Sequence, residues 1–110
     1  MGKGMGSMMK QAQKLQAKMA SLQEKLAEKR VEGTAGGGVV VATANGQKEI
    51  VAIKINPEVV DPGDVEMLED LLLAAIQQAR EKAQALADEE MQRATAGLIP
   101  QGINIPGLGL

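Results

Sequence analysis

The chain contains no Phe, no Tyr and no Trp among its 110 residues. Two things are excluded at once. No aromatic ring can stack on an exposed base, and no large side chain can anchor a core. Packing falls to Ala, Val, Ile, Leu and Met. A chain of this length buries only about 65% of its unfolded surface, so an oligomer that shares burial between chains is expected. There is no Cys, hence no disulfide and no thiolate chemistry. There is no His, so the commonest general base and metal ligand is missing. The hydroxyls are Ser7, Ser21, Thr34, Thr43 and Thr95, with no imidazole to activate them. We therefore expect no catalytic residue, no cofactor, no metal and no small-molecule substrate. No apolar run approaches the roughly 20 residues of a membrane span, and the first residues lack a signal-peptide core. A cytoplasmic protein with no membrane partner is expected.

What is present is a division of charge. The overall net charge is −2, but residues 1–30 carry seven basic side chains against two acidic ones, a net of +5. Residues 31–110 carry five basic and twelve acidic side chains, a net of −7. The chain is electrically bipolar, with its positive pole at the start.

That start reads as one helix, from about Ser7 to Glu28–Arg30, with Ser7 as N-cap and Met1 to Gly6 frayed. Met5, Met8, Ala12, Leu15, Met19, Leu22 and Leu26 form a 3,4-spaced apolar seam. Lys3, Lys10, Lys14, Lys18, Lys25 and Lys29 fall within an arc of roughly 100° beside it. Val31 to Ala35 is a short strand, and Gly36-Gly37-Gly38 a hairpin turn. The triple glycine lacks the Gly-Lys-Ser/Thr of a phosphate loop. Val39 to Ala44 is a strand, Asn45-Gly46 signals a two-residue hairpin, and Gln47 to Ile55 returns. Alternation puts Val51, Ile53 and Ile55 on one face, Ile50 and Ala52 on the other. Apolar groups on both faces call for cover on both sides, one by a helix and one by a second subunit. Asn56-Pro57 ends the strand. A second helix runs from about Asp64 to Thr95, with Val65, Leu68, Leu72, Ala75, Ile76, Ala79, Ala83 and Leu86 as its buried stripe. Its Leu-rich first half should sit on the sheet. Its Ala-rich second half should project or pack on another helix. Residues 97–110, rich in Gly and Pro, read as a flexible tail.

Each stripe of the first helix admits two readings. The seam packs on the second helix or on a symmetry mate, and its methionines make it adaptable. The lysines are either a solvated face paired with the acidic second helix, or a ladder of phosphate contacts. From Lys10 to Lys29 is roughly 28 Å along the axis, about eight base-pair steps. Lysine gives point-charge attraction without base readout. Such binding would be to duplex DNA, salt-sensitive and weakly specific.

Met-Met-Lys-Gln-Ala-Gln-Lys-Leu-Gln (Met8 to Gln16) resembles the opening of the YbaB/EbfC family of bacterial nucleoid-associated proteins. So do the Gly-rich hairpin with Ile53-Lys54-Ile55-Asn56-Pro57, the run Glu66 to Leu71 opening a long helix, and the end with Met91 and Gly97-Leu98. Asn56 departs from the Asp common there. The likeness spans nearly the whole chain. It implies an α+β fold of order α-β-β-β-α, with a small antiparallel sheet and two long helices, in a single domain over residues 1–96. It implies a homodimer whose helices project as tweezer arms. It implies duplex DNA binding, nucleoid association, and an effect on nucleoid organisation or gene expression. The basic positions that would carry DNA are Lys3, Lys10, Lys14, Lys18, Lys25, Lys29 and Arg30. The competing reading is a protein-interaction module that grips a partner through the Met-rich seam.

Overall fold

A computed structural model describes residues 2–96, with side chains described from residue 6 onward. The elements are α1 (Gly2–Glu28), β1 (Arg30–Ala35), β2 (Val40–Asn45), β3 (Ile50–Ile55), a 3-10 turn (Pro57–Val59) and α2 (Val65–Thr95). This is the expected α-β-β-β-α order. The sheet is antiparallel in the order β1-β2-β3. The stretch from 97 to 110, expected as a tail, lies outside the described residues, as do the side chains of Lys3 and Met5.

The core is small because its residues are small. Val40, Ala42, Ala44, Ala75, Ala79 and Ala83 are fully buried together. On β2, alternate residues point into the helix-covered face, and Gly33 on β1 pairs with Ala42. On α2, Ala75, Ala79 and Ala83 repeat every four residues, which keeps them on one side. The result is a helix pressed against the sheet backbone. A Cβ on Gly33 would lie 2.1 Å from the Ala75 carbonyl oxygen and 2.3 Å from the Ala79 nitrogen. Only glycine admits that approach, so aromatics are absent from the very place a thicker core would need them.

Ala75, Ala79 and Ala83 are buried against the sheet as their place in the stripe predicts, and the structure amends the reading of α2 at single positions. Val65 is 54% exposed and drops out of the buried stripe, while Leu71 packs against the core with Leu68, Leu72 and Ile76. The helix begins as its sequence suggests. The Asp64 carboxylate accepts a hydrogen bond from the Met67 amide at 3.2 Å, the N-cap that satisfies one free amide of the first turn.

The first hairpin is as expected and the second is not. Gly36, Gly37 and Gly38 all have positive φ, so the triple glycine is a conformational requirement of the first turn. In the second turn, Asn45-Gly46 does not make a two-residue connection. The Lys48 amide donates to the Asn45 carbonyl and the Asn45 amide to Glu49. The loop is Gly46-Gln47-Lys48, with Lys48 at φ 67°, a type I turn closed by a left-handed residue. The Asn45 side chain causes this: its Oδ1 accepts from the amides of Gln47 (2.9 Å) and Glu49 (3.0 Å). The sheet then bulges between Thr43 and Ala44. That bulge changes the face assignment on β3. Ala42 pairs with Ile53 but Ala44 pairs with Ile50, so Ile50 joins Ile55 against the core and Val51 is the extra residue. The opposite face carries Glu32, Thr34, Thr43 and Lys54 with Val41 and Ala52 among them.

α1 starts at Gly2, so Ser7 lies inside the helix rather than capping it. The early glycines cost about 1 kcal/mol each relative to alanine but none forbids helix. At 27 residues the helix is about 40 Å long. Among the described residues it touches the rest of the chain only near its end, where Leu22 and Leu26 are buried. The second hairpin holds that end: the Gly46 amide donates to the Leu26 carbonyl at 2.8 Å, and Gln47 Nε2 to the Gln23 carbonyl at 3.0 Å.

Candidate nucleic-acid interface

From Gly6 to Lys18 every side chain of α1 is exposed. The helix leaves the body as an arm. Two sequence stripes ride on it, and each divides at the same point. In the seam, Leu22 and Leu26 pack on the body, Met19 is half-buried, and Ala12, Leu15 (44% exposed) and Met8 (71% exposed) have no cover among the described residues. The expected seam is thus partly core and partly free surface.

The lysine stripe divides likewise. Lys10, Lys14 and Lys18 are exposed, and among the described residues no carboxylate pairs with them. They follow one another at four-residue steps, about 6 Å apart along the axis with a drift of about 40° per step. The sequence has no acidic residue before Glu24, so the arm is a purely cationic surface in the free protein.

Lower on the same helix the cations have partners. Lys25 Nζ lies 3.1 Å from Glu90 Oε2, and Lys29 Nζ lies 3.6 Å from Glu90 Oε1. Arg30 bends back to donate from Nη1 to the carbonyls of Ala27 (2.8 Å) and Lys29 (3.0 Å), where a cation suits the negative end of the helix dipole. Of the seven expected site residues, three stand free on the arm, three are engaged at its root, and the Lys3 side chain lies outside the described residues.

The sequence reading missed Glu90 and Arg93. Glu90 is the buried charge among the described residues, its side chain 5% exposed. Arg93 Nη1 approaches it at 3.3 Å while Nη2 reaches Glu89 at 2.6 Å. The hydrogen bond from Lys25 holds the Glu90 carboxyl below its ordinary range; desolvation opposes this, and the charges of Lys25, Lys29 and Arg93 add to the lowering. A signal was present. Glu90 follows Ala79, Ala83 and Leu86 on the same face of α2, a charge written into an apolar stripe. Between α1 and α2 these groups border an open cleft of about 270 Å³, lined also by Lys18, Ser21 and Leu22.

No group of His, Cys, Asp and Glu among the described residues is placed to hold a metal. Nor is any described helix long and apolar enough to cross a membrane. What remains is a cationic arm on a small α+β body.

That architecture has relatives. A nucleoid-associated protein of Pelotomaculum thermopropionicum is 53% identical over 108 residues, covering 98% of each chain. One from Caldanaerobacter subterraneus is 52% identical over 107 residues, covering 97% of this chain and 92% of that one. One from Chloroflexus aggregans is 56% identical over 91 residues, covering 83% and 91%. Among solved structures, an uncharacterized protein of Helicobacter pylori shares the fold at TM-score 0.59 and 19% identity, covering 80% of this chain and 98% of its own. The sequence profile of the YbaB/EbfC DNA-binding family, which is not a family of enzymes, matches residues 1–98. With a match of that extent, the chain belongs to the YbaB/EbfC DNA-binding family.

Proposed function

We propose that this protein associates with the nucleoid as a homodimer and binds duplex DNA with little sequence preference, through Lys10, Lys14 and Lys18 on its projecting arms. The observation that carries this reading is the arm itself: three exposed lysines on one flank, with no acidic neighbour and no intramolecular partner among the described residues. From Lys10 to Lys18 is about 12 Å along the axis, a span of three to four base-pair steps at about 3.4 Å each. Lysine contacts phosphates as a point charge. The exposed arm offers no Arg fork for guanine and no ring for an unstacked base. Affinity without much readout follows. The names of the relatives support nucleoid association for this chain.

A salt titration of duplex binding tests this. Three contacts per arm and two arms give about six phosphates. Log K should then fall with log salt at a slope near −5. A flat response overturns the reading, and replacing Lys10, Lys14 and Lys18 with Glu should abolish binding without unfolding the protein.

One observation favours a second reading. Met8, on the free part of the seam, is 71% exposed and Met9 beside it 62% exposed, with no cover among the described residues. A protein partner could be gripped there. On that reading Met8→Asp removes a protein interaction and leaves DNA binding intact.

A further inference from the structure

Glu90 sits where the free and the engaged halves of the lysine stripe meet. It is buried, yet it binds side chains that are not: Lys25 is 55% exposed and Lys29 37% exposed. Both lysines reach solvent while their ammonium groups stay on one carboxylate. The two oxygens of Glu90 are shared among Lys25, Lys29 and Arg93, and Glu89 holds the outer side of Arg93. A carboxylate at this distance offers an ammonium group the same charge-assisted contact that a phosphate oxygen would.

We propose that Glu90 is an internal stand-in for phosphate, which holds Lys25 and Lys29 in reserve and so sets how many contacts the arm offers to DNA. The proposal rests on the reading of Lys10, Lys14 and Lys18 as the DNA contacts and concerns the regulation of that same surface. Its energetic basis is an exchange. If Lys25 and Lys29 move to a DNA phosphate, they gain one anion and abandon another. The carboxylate left behind is buried and has lost two of its three cations, which is costly. Lys10, Lys14 and Lys18 face no such exchange. The lower lysines therefore stay on Glu90 while the upper ones bind, and DNA meets a short arm rather than the full stripe. Removing the charge of Glu90 releases them.

The test is the salt slope of duplex binding in four proteins: wild type, Lys25→Gln with Lys29→Gln, Glu90→Gln, and the three substitutions together. With Glu90 in place, losing Lys25 and Lys29 should leave the slope nearly unchanged. Glu90→Gln should steepen it by up to about 1.8 per copy, two contacts at about 0.9 each, and tighten binding at low salt. The triple substitution should return the slope to that of wild type, because the steepening belongs to those two lysines. Helical content by circular dichroism accompanies each protein. Should Glu90→Gln fail to fold, the Lys25/Lys29 pair still decides: a slope clearly flattened by their loss with Glu90 present means they already contact DNA and overturns the reserve. An unchanged slope in a folded Glu90→Gln protein overturns it too. A flat response in wild type would instead strike the DNA reading itself.

Discussion

Two residues decide how this chain holds together, and neither is large. Gly33 is the point of nearest approach between sheet and helix. Adding a methyl group there drives it into the Ala75 carbonyl and the Ala79 nitrogen, both backbone atoms that cannot rotate away. Overpacking of a core costs about 1–3 kcal/mol, and more where backbone must shift. Gly33→Ala should therefore destabilise by about 3 kcal/mol or more, read as the urea midpoint; a loss below about 1 kcal/mol would mean that α2 slides freely on the sheet. Glu90 is the second. Its folded carboxyl titrates below the ordinary value of 4.5, first because Lys25 donates to it, with Lys29 on α1 and Arg93 on α2 adding their charge. Glu89 is the other carboxylate of that cluster, and Lys18 lines the same cleft. A lowered folded value means that ionised Glu90 stabilises the fold in full above the ordinary Glu range and that this is lost as pH falls through the folded value. Between about pH 5 and about pH 3, the wild-type melting temperature should fall more steeply than that of Glu90→Gln. Parallel curves would show that the cluster does not favour the charged form.

At the scale of elements, α1 is two helices in one. Its last turns are core and the rest is arm, and the boundary falls at Met19. Leu26 is 3% exposed and its carbonyl takes the Gly46 amide, so Leu26→Ala should cost about 2–4 kcal/mol. Leu15→Ala, about three turns nearer the free end of the same seam, should change the unfolding of the single protomer by under about 0.5 kcal/mol. Equal costs would place the arm against the body in solution. This division also explains what could be read from the sequence. Element order and the approximate start of α2 were legible, because periodicity and Asn56-Pro57 act within a few residues. The cationic stripe was legible as a stripe. Which of its lysines are free was not, because the deciding partner is 65 residues away in the Lys25–Glu90 pair. The two-residue hairpin was misread for a similar reason. Asn45-Gly46 is used there for a side chain that caps two amides and for a backbone that must touch α1, where a Cβ on Gly46 would meet the Leu26 carbonyl at 2.6 Å.

The whole molecule is a body with one side left open. α2 lies over β1 and β2, and the outer edge of β1 is partly closed where the Thr34 amide donates to Gln78 Oε1 at 2.7 Å. β3 is the other edge of the sheet. Ile53 shares the helix-covered face with Ala42, yet it remains 44% exposed, and Val51 beside it is 46% exposed. Exposed apolar residues on an unpaired strand edge invite a partner, and the homodimer proposed above would supply one. A dimer that covers β3 ties folding to association, so the unfolding midpoint should rise with protein concentration. Ile53→Glu puts a charge into that cover. It should give a protomer that keeps its helical content, sediments at half the wild-type mass and melts at a temperature independent of concentration. Its arms would then bind duplex singly, with a salt slope about half that of wild type, because three contacts act where six acted before. Wild-type melting that ignores concentration, or an Ile53→Glu protein that still sediments as a dimer, would remove β3 from the interface.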